Sequence, residues 1–244
     1  MKDIKLKIVF FSDTHRAHLS VKLPSADILV FTGDCSGRGG LHEIEHFLEW
    51  FSSQDSKYKV MIAGNHDFGF ELNPTAIKTM MPKNITYLED SGIEIEGIKF
   101  WGSPVQPWFN NWAFNRIRSE GQDNVKNGIK QHWDMIPNDT DILLTHGPSY
   151  GILDKVLVRF TKFNEDQNVG CKDLTDALSR VKPRIFAFGH IHETYGTFFD
   201  NVSGILHINS SIMDDDYCPI NKPIVIDYSI TNSEYSFPLI EIIK

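Results

Sequence analysis

A chain of 244 residues, 41% hydrophobic and 23% charged, has an ordinary globular composition and enough apolar side chains for a substantial core. Its formal net charge of -8 argues against broad attachment to nucleic acid or anionic membrane, but not against a small anionic substrate held through bound cations. No apolar stretch approaches the roughly 20 residues of a membrane span. The short, charged start "MKDIKLKIVFFSD" does not read as a secretory signal, and Cys35, Cys171 and Cys218, without a CxxC pair, suggest reduced thiols in a cytoplasm.

In chain order, "KIVFFSDTH" is a continuous apolar run ending in Asp13 and His15. "ADILVFTGD" follows, ending in Gly33 and Asp34. Next, "LHEIEHFLEWF" repeats Leu41, Ile44, Phe47, Leu48 and Phe51 at helical spacing. "KVMIAGNHD" is a third run, ending in Asn65, His66 and Asp67. "ITYLEDSGIEIEGIKFWGSP" alternates like a β-hairpin. "PWFNNWAFN" concentrates aromatic residues; it reads first as a satellite hydrophobic cluster anchoring a long connection, and second as a wall offering a stacking face to a base. "DILLTHG" ends in His146, "CKDLTDALSRV" is a second amphipathic helix, and "RIFAFGHIH" ends in His190 and His192. The tail, "HINSSIMDDDYCPINKPIVIDYSI", reads as strand, loop and strand, with Asp214, Asp215 and Asp216 a solvated acidic run rather than a further metal site.

Short Val/Ile/Leu/Phe runs read as strands buried on both faces, and their alternation with helices implies βαβ units in a largely parallel sheet. Ligands of such sheets bind beyond the carboxyl ends of the strands, where all five polar clusters fall. Two histidines separated by one residue can face the same side of an extended chain, and the same holds for Asp13 and His15. Glycines at 33, 64 and 189 allow sharp turns and close backbone approach. No linker, repeat or low-complexity tract divides the sequence, so residues 1–244 are expected to form one domain.

Collected, the clusters supply Asp13, His15, Asp34, Asn65, His66, His146, His190 and His192. Carboxylate, imidazole and amide oxygen without thiolate suit a borderline divalent ion. The set exceeds what one ion needs. Two ions roughly 3.5–4 Å apart, sharing a carboxylate, can clamp both oxygens of a phosphoryl displacement and generate hydroxide near neutral pH.

The ordered motifs D-x-H, G-D, G-N-H-D, H-G and G-H-x-H, spanning Asp13 to His192, resemble the calcineurin-like metallophosphoesterases. The stretches "GSPVQPWFNNWAFN", "LLTHGPSYGILD", "VGCKDL" and "FGHIHETYG" look like the metallophosphoesterase domain-containing subfamily, itself similar to class III cyclic-nucleotide phosphodiesterases. Some members of that subfamily carry glycine at the first histidine of G-H-x-H; this sequence keeps His190.

The resemblance implies an α/β fold of two packed mixed β-sheets flanked by helices, four layers in all. It implies a binuclear metal-dependent phosphodiesterase that acts on cyclic or other small nucleotides by attack of a metal-bridged hydroxide. Phosphomonoesterase or nuclease-like activity is the alternative, followed by a metal-binding scaffold without catalysis. The cofactors implied are two divalent ions, Mn first, with Fe, Zn, Co, Mg or Ni as substitutes. Asp13, His15 and His192 would hold the first ion; Asn65, His146 and His190 the second; Asp34 would bridge. His66 would contact phosphate or protonate the leaving oxygen, and Asp67 would orient it through the other ring nitrogen. Asn65 also faces substrate. Arg38 is either a phosphate contact or an ordinary loop arginine, and His18 either a phosphate contact or an exposed loop histidine. The expected partner is a small phosphodiester or nucleotide, with neither membrane nor strong nucleic-acid binding.

Overall fold

The computed structural model describes residues 4–157, 167–230 and 239–243. In chain order the strands are β1 (Ile4–Phe11), β2 (Ala26–Thr32), β3 (Ser56–Ile62), β4 (Thr86–Tyr87), β5 (Ser91–Ile95), β6 (Ile98–Ser103), β7 (Gln106–Pro107), β8 (Asn115–Arg116), β9 (Ile142–Thr145), β10 (Lys155–Val156), β11 (Gln167–Asn168), β12 (Ile185–Phe188), β13 (Gly196–Asp200), β14 (Ile205–Asn209), β15 (Ile224–Ile230) and β16 (Leu239–Ile243). The helices are α1 (Leu41–Ser53), α2 (Phe68–Leu72), α3 (Pro74–Met80), α4 (Lys130–Asp134) and α5 (Lys172–Val181).

Two six-stranded mixed sheets dominate, ordered β16-β15-β1-β2-β3-β4 and β13-β14-β12-β9-β6-β5. β1, β2 and β3 run parallel in the first, and β6, β9, β12 and β14 in the second. Each of these strands carries apolar residues on both faces because each face is covered. Ile8, Phe10, Ile28 and Val30 of the first sheet pack against Ile142, Leu144, Ile185 and Ala187 of the second. On the outer face of the first sheet, Val9, Phe11, Leu29 and Phe31 meet Ile44, Phe47, Leu48 and Phe51 of α1. On the outer face of the second, Leu143, Phe186 and Phe188 meet Leu174, Leu178 and Val181 of α5. The expected four layers are therefore present, and both helices bury the stripe their spacing selected. The β5–β6 hairpin turns on Glu96 and Gly97, both at positive φ, as a twisted two-residue connection requires.

The sheets are joined at one edge. Ser12, just past β1, donates its N–H to Ser210 O at 3.0 Å and accepts from Ile212 N at 3.0 Å. Ser210 in turn donates to Phe188 O, at the end of β12, at 2.8 Å. This stitch sets the carboxyl end of β1 beside that of β12.

Two histidines lie in the packing layers. His207 of β14 meets Phe186 edge-on, and its Nδ1 has no hydrogen-bond partner. Burial lowers its pKa to about 4, against the pull of Asp200. Burial, with His46 adding to it, lowers His18 to about 4 as well. A base whose folded pKa lies below its unfolded value favours unfolding once the unfolded chain protonates. Stability should therefore fall as pH drops from about 6.5 toward 4, by about 2 kcal/mol per histidine. Urea unfolding across that window should show the loss, and H207L should make it shallower while the His18 share remains; an unchanged slope in H207L would reject the assignment.

Candidate metal centre

The five polar clusters converge where the two sheets meet, but not by strand alternation. β12 ends at Phe188; His190 then takes φ +69°, and His192 opens a 3-10 turn, His192–Thr194. Asp13, His15 and Asp34 also take positive φ, at 53°, 39° and 62°. The expectation that His190 and His192, and likewise Asp13 and His15, share one side of an extended chain is therefore corrected. An extended chain spreads side chains along a line, whereas aiming several at one point requires turns that are costly for non-glycine residues. Hydrogen bonds hold these turns: Asp13 N to Gly33 O at 2.9 Å, His15 N to Asp34 O at 3.1 Å, and His190 N to both carboxylate oxygens of Asp13 at 3.1 Å. The glycines serve close approach, as expected. A Cβ on Gly189 would collide with the Asp13 carboxylate and Ser12 Oγ, and one on Gly64 with the Asp34 carboxylate.

Two groups of ligand atoms result. Asp13, His15 and His192 form one and Asp34, His146 and His190 the other; within each, the atoms lie within 4.8 Å of one another. Asp34 also groups with His15 and His66, so its carboxylate reaches toward both sets. Its Oδ2 is 3.1 Å from His146 Nε2 and 3.8 Å from His15 Nε2. Asn65 Oδ1 lies 2.9 Å from His146 Nε2.

The donor chemistry asks for cations. His146 Nδ1 faces the Thr32 carbonyl at 2.9 Å, and a carbonyl only accepts, so that nitrogen carries the proton. Nε2 is left facing Asn65 Oδ1 and Asp34 Oδ2, so three lone pairs converge and a positive charge, a proton or a metal ion, must sit among them. His192 repeats the pattern. Its Nδ1 faces Asp214 O at 3.1 Å, while its Nε2 faces Asp13 Oδ1 and His15 Nε2, both at 3.4 Å. Such buried clusters are stable only around positive charge. The ionisation behaviour agrees. Burial opposes charge on His146, yet Asp34 and its hydrogen bonds raise the pKa to about 9. Burial works against ionised Asp13, but the hydrogen bond and charge of His192 hold it at about 2. Burial lowers His15 to about 4 and, with His146 adding to it, His190 to about 3, leaving both imidazoles neutral and available as ligands. The residues fit two divalent ions.

His66 stands beside this set. Its Nδ1 donates to Gly37 O at 2.8 Å, its ring centroid is 4.6 Å from that of His15, and its backbone N–H is held by Asp34 Oδ1 at 2.8 Å. Asp67 does not orient it, contrary to expectation, because the adjacent side chain turns the other way into the core. There its carboxylate accepts from the N–H groups of Asp34 (2.9 Å), Ser36 (3.0 Å) and Gly64 (2.9 Å), and from Ser36 Oγ (2.7 Å). Asp67 thus ties the β2 and β3 loops together. D67A should leave several buried N–H groups unpaired and cost about 3 kcal/mol or more. A melt of the metal-free protein should show it; an unchanged melting temperature with lost turnover would return Asp67 to a catalytic role.

His18 is neither an exposed loop residue nor a site residue. It is buried in the 3-10 turn Ala17–Ser20, with Nε2 2.8 Å from His46 Nδ1 and its ring against Phe47 and Trp50. Arg38 is exposed, its guanidinium 5.1 Å over the ring of Trp112. Trp112 stacks on His66 at 4.1 Å and 25°. The aromatic segment therefore divides its work: Ala113 and Phe114 are core, Trp108 and Phe109 are exposed, and Trp112 walls the site.

The comparisons decide the lineage. A family model described as calcineurin-like phosphoesterase matches residues 6–194. The chain belongs to that family. Metallophosphoesterase domain-containing protein 1 of human is 35% identical, covering 91% of this chain and 70% of its own length; the mouse protein matches equally. A UPF0046 protein of Caenorhabditis elegans is 34% identical over 78% of this chain and 65% of its own length. Among solved structures, a protein of Thermus thermophilus, TT1561, shares the fold at a TM-score of 0.53 and 10% identity, covering 84% of this chain and 89% of that one. Membership in the calcineurin-like phosphoesterases implies phosphoric ester hydrolysis with divalent metals. No helix among the described residues is long and apolar enough to cross a membrane.

Several site groups carry no sequence signal of their own. Ser12 Oγ donates to Asp13, and Ser210 Oγ lies 3.3 Å from Ser12 Oγ and 3.0 Å from Thr32 Oγ1, a buried hydroxyl chain behind the first ligand. Tyr217, lone in a polar loop, packs on His15 and His192.

Proposed function

We propose that the chain is a two-metal phosphodiesterase acting on small nucleotides, cyclic nucleotides among them. The observation that carries this reading is the pair of convergent lone-pair clusters sharing Asp34, with His66 beside both. Asp13, His15 and His192 would hold one ion and Asn65, His146 and His190 the other, with Asp34 placed to serve both. When bound, the ions supply Lewis acidity toward phosphoryl oxygen and acidify a shared water; Mn is the first candidate.

The chain's own groups do the rest. Thr32 O and Asp214 O fix the proton on Nδ1 of His146 and His192, keeping each Nε2 a donor of electrons. His66 keeps its Nδ1–H on Gly37 O, which leaves Nε2 as the atom that would contact phosphate or pass a proton to the leaving oxygen. Trp112 fixes the His66 ring and gives the departing group an apolar face, with Arg38 beside it as a counter-charge for phosphate. Cys35, Cys171 and Cys218 are free thiols, which favours a reducing compartment such as cytoplasm.

A Mn-supplemented panel tests the substrate class: 3′,5′- and 2′,3′-cyclic nucleotides, bis-p-nitrophenyl phosphate and the p-nitrophenyl monoester. Diesters should have the higher kcat/KM. A clear monoester preference would move the reading to phosphomonoesterase.

A further inference from the structure

Residues 214–218 form a tight loop between β14 and β15. Asp214 Oδ1 accepts from Asp216 N at 3.0 Å and Cys218 N at 2.8 Å, and Asp214 N donates to Cys218 O at 3.0 Å. Asp214 O accepts from both Tyr217 N and His192 Nδ1, each at 3.1 Å. Loop geometry and ligand geometry therefore share one carbonyl. Tyr217 takes φ +58°, a backbone state that an aromatic residue keeps only where its surroundings enforce it. The outcome is a ring lying against His15 at 5.0 Å and His192 at 4.9 Å, yet 54% exposed. An aromatic face is thus held open to solvent directly against two imidazoles of the first cluster.

We propose that Tyr217 determines specificity by packing against the ester group that stays on phosphorus, and that this group carries a planar aromatic ring. The inference rests on the diesterase reading above. Hydrolysis adds hydroxide from water to phosphorus and breaks the P–O bond beside His66, whose proton goes to the departing oxygen; the proton released by the water passes to solvent, from which His66 is reprotonated. That departing group runs along His66 and Trp112. In an acyclic diester the second ester group occupies another corner of the phosphorus tetrahedron and remains on the product monoester; in a cyclic nucleotide both ester oxygens belong to one nucleoside, whose base is the planar ring. His15 is in ring contact with both His66 and Tyr217, so the two aromatic walls border neighbouring parts of one site. A monoester has no second group to place there.

The test compares bis-p-nitrophenyl phosphate with methyl p-nitrophenyl phosphate, which share a leaving group and differ only in the retained one. In Y217A the ratio of their kcat/KM values, diaryl over methyl, should fall roughly three- to tenfold, the usual worth of an aromatic contact. Y217F should retain the wild-type ratio, since the ring and not the hydroxyl makes the contact. Metal content is measured alongside. An unchanged ratio in Y217A overturns the proposal, and so does an equal loss on both substrates with reduced metal, which would make Tyr217 a prop for His15 and His192. Should the wild type hydrolyse neither diester, the diesterase reading fails by itself. Calorimetry on the Mn-loaded protein then reads the contact: Y217A should weaken diphenyl phosphate relative to dimethyl phosphate, and equal effects would overturn the proposal.

Discussion

D34N should lose metal-dependent turnover by about 10³-fold or more, the several kcal/mol that a metal pair contributes to the transition state. The reason is position. Asp34 is the carboxylate that groups both with His146 and His190 and with His15 and His66. An amide in its place removes one negative charge and puts N–H or a weaker oxygen where an anionic ligand belongs. Asn65 already supplies the neutral oxygen on that side, so nothing nearby replaces the lost charge. Burial raises the Asp34 pKa, but His146 and its neighbours hold it well below the usual carboxylate range, so the ligand is ionised throughout the working pH range. Metal analysis after equilibration with Mn should show weakened retention, beside turnover of bis-p-nitrophenyl phosphate. Full metal retention with normal turnover in D34N would remove Asp34 from the bridge.

H66A should behave differently, because its effect depends on the leaving group. A positioned proton donor contributes typically about 10²–10⁴-fold when the departing oxygen is a poor leaving group. Nitrophenolate departs as a stable anion and needs little help. Turnover of cyclic nucleotides, which release an alkoxide, should therefore fall by about 10²-fold or more, and turnover of p-nitrophenyl esters by far less. Metal content should change little, since His66 belongs neither to the Asp13, His15 and His192 group nor to the Asp34, His146 and His190 group. Equal losses on both substrate types would make His66 a phosphate contact rather than a proton donor.

The layers and the convergence of the polar clusters were legible in the sequence for one physical reason. Parallel strands covered on both faces must be apolar along their length, so the first polar residues after each run mark the sheet edge. Phe11 to Asp13, Thr32 to Asp34 and Phe188 to His190 are such transitions. The helical stripes of α1 and α5 were equally plain, because a surface helix buries a repeating set such as Ile44, Phe47, Leu48 and Phe51. Turn geometry was not legible. Asp and His tolerate positive φ better than most residues, but that tolerance does not say which of Asp13, His15 or His190 uses it, and assuming extended backbone gave the wrong route to the right convergence.

Adjacency also misled. Asp67 follows His66, but successive side chains leave the backbone in different directions, and the carboxylate ties the loops while Gly37 O orients the ring. His18 follows the first motif closely, yet the 3-10 turn sends it under α1. The groups that sequence reading missed act through backbone or through distant chain: Thr32 O, Asp214 O and the Tyr217 ring. A carbonyl has no residue signature, and Tyr217 reaches His15 across most of the chain. An isolated tyrosine at the tip of an otherwise acidic loop was the one available hint.

The most direct measurement is a Mn titration of metal-stripped protein, following bound metal and hydrolysis of bis-p-nitrophenyl phosphate together. Two ions per chain at saturation are predicted, with turnover tracking the second equivalent and exceeding that of the p-nitrophenyl monoester. Full turnover at one equivalent, or none at saturating Mn, would contradict a shared two-metal centre built on Asp34.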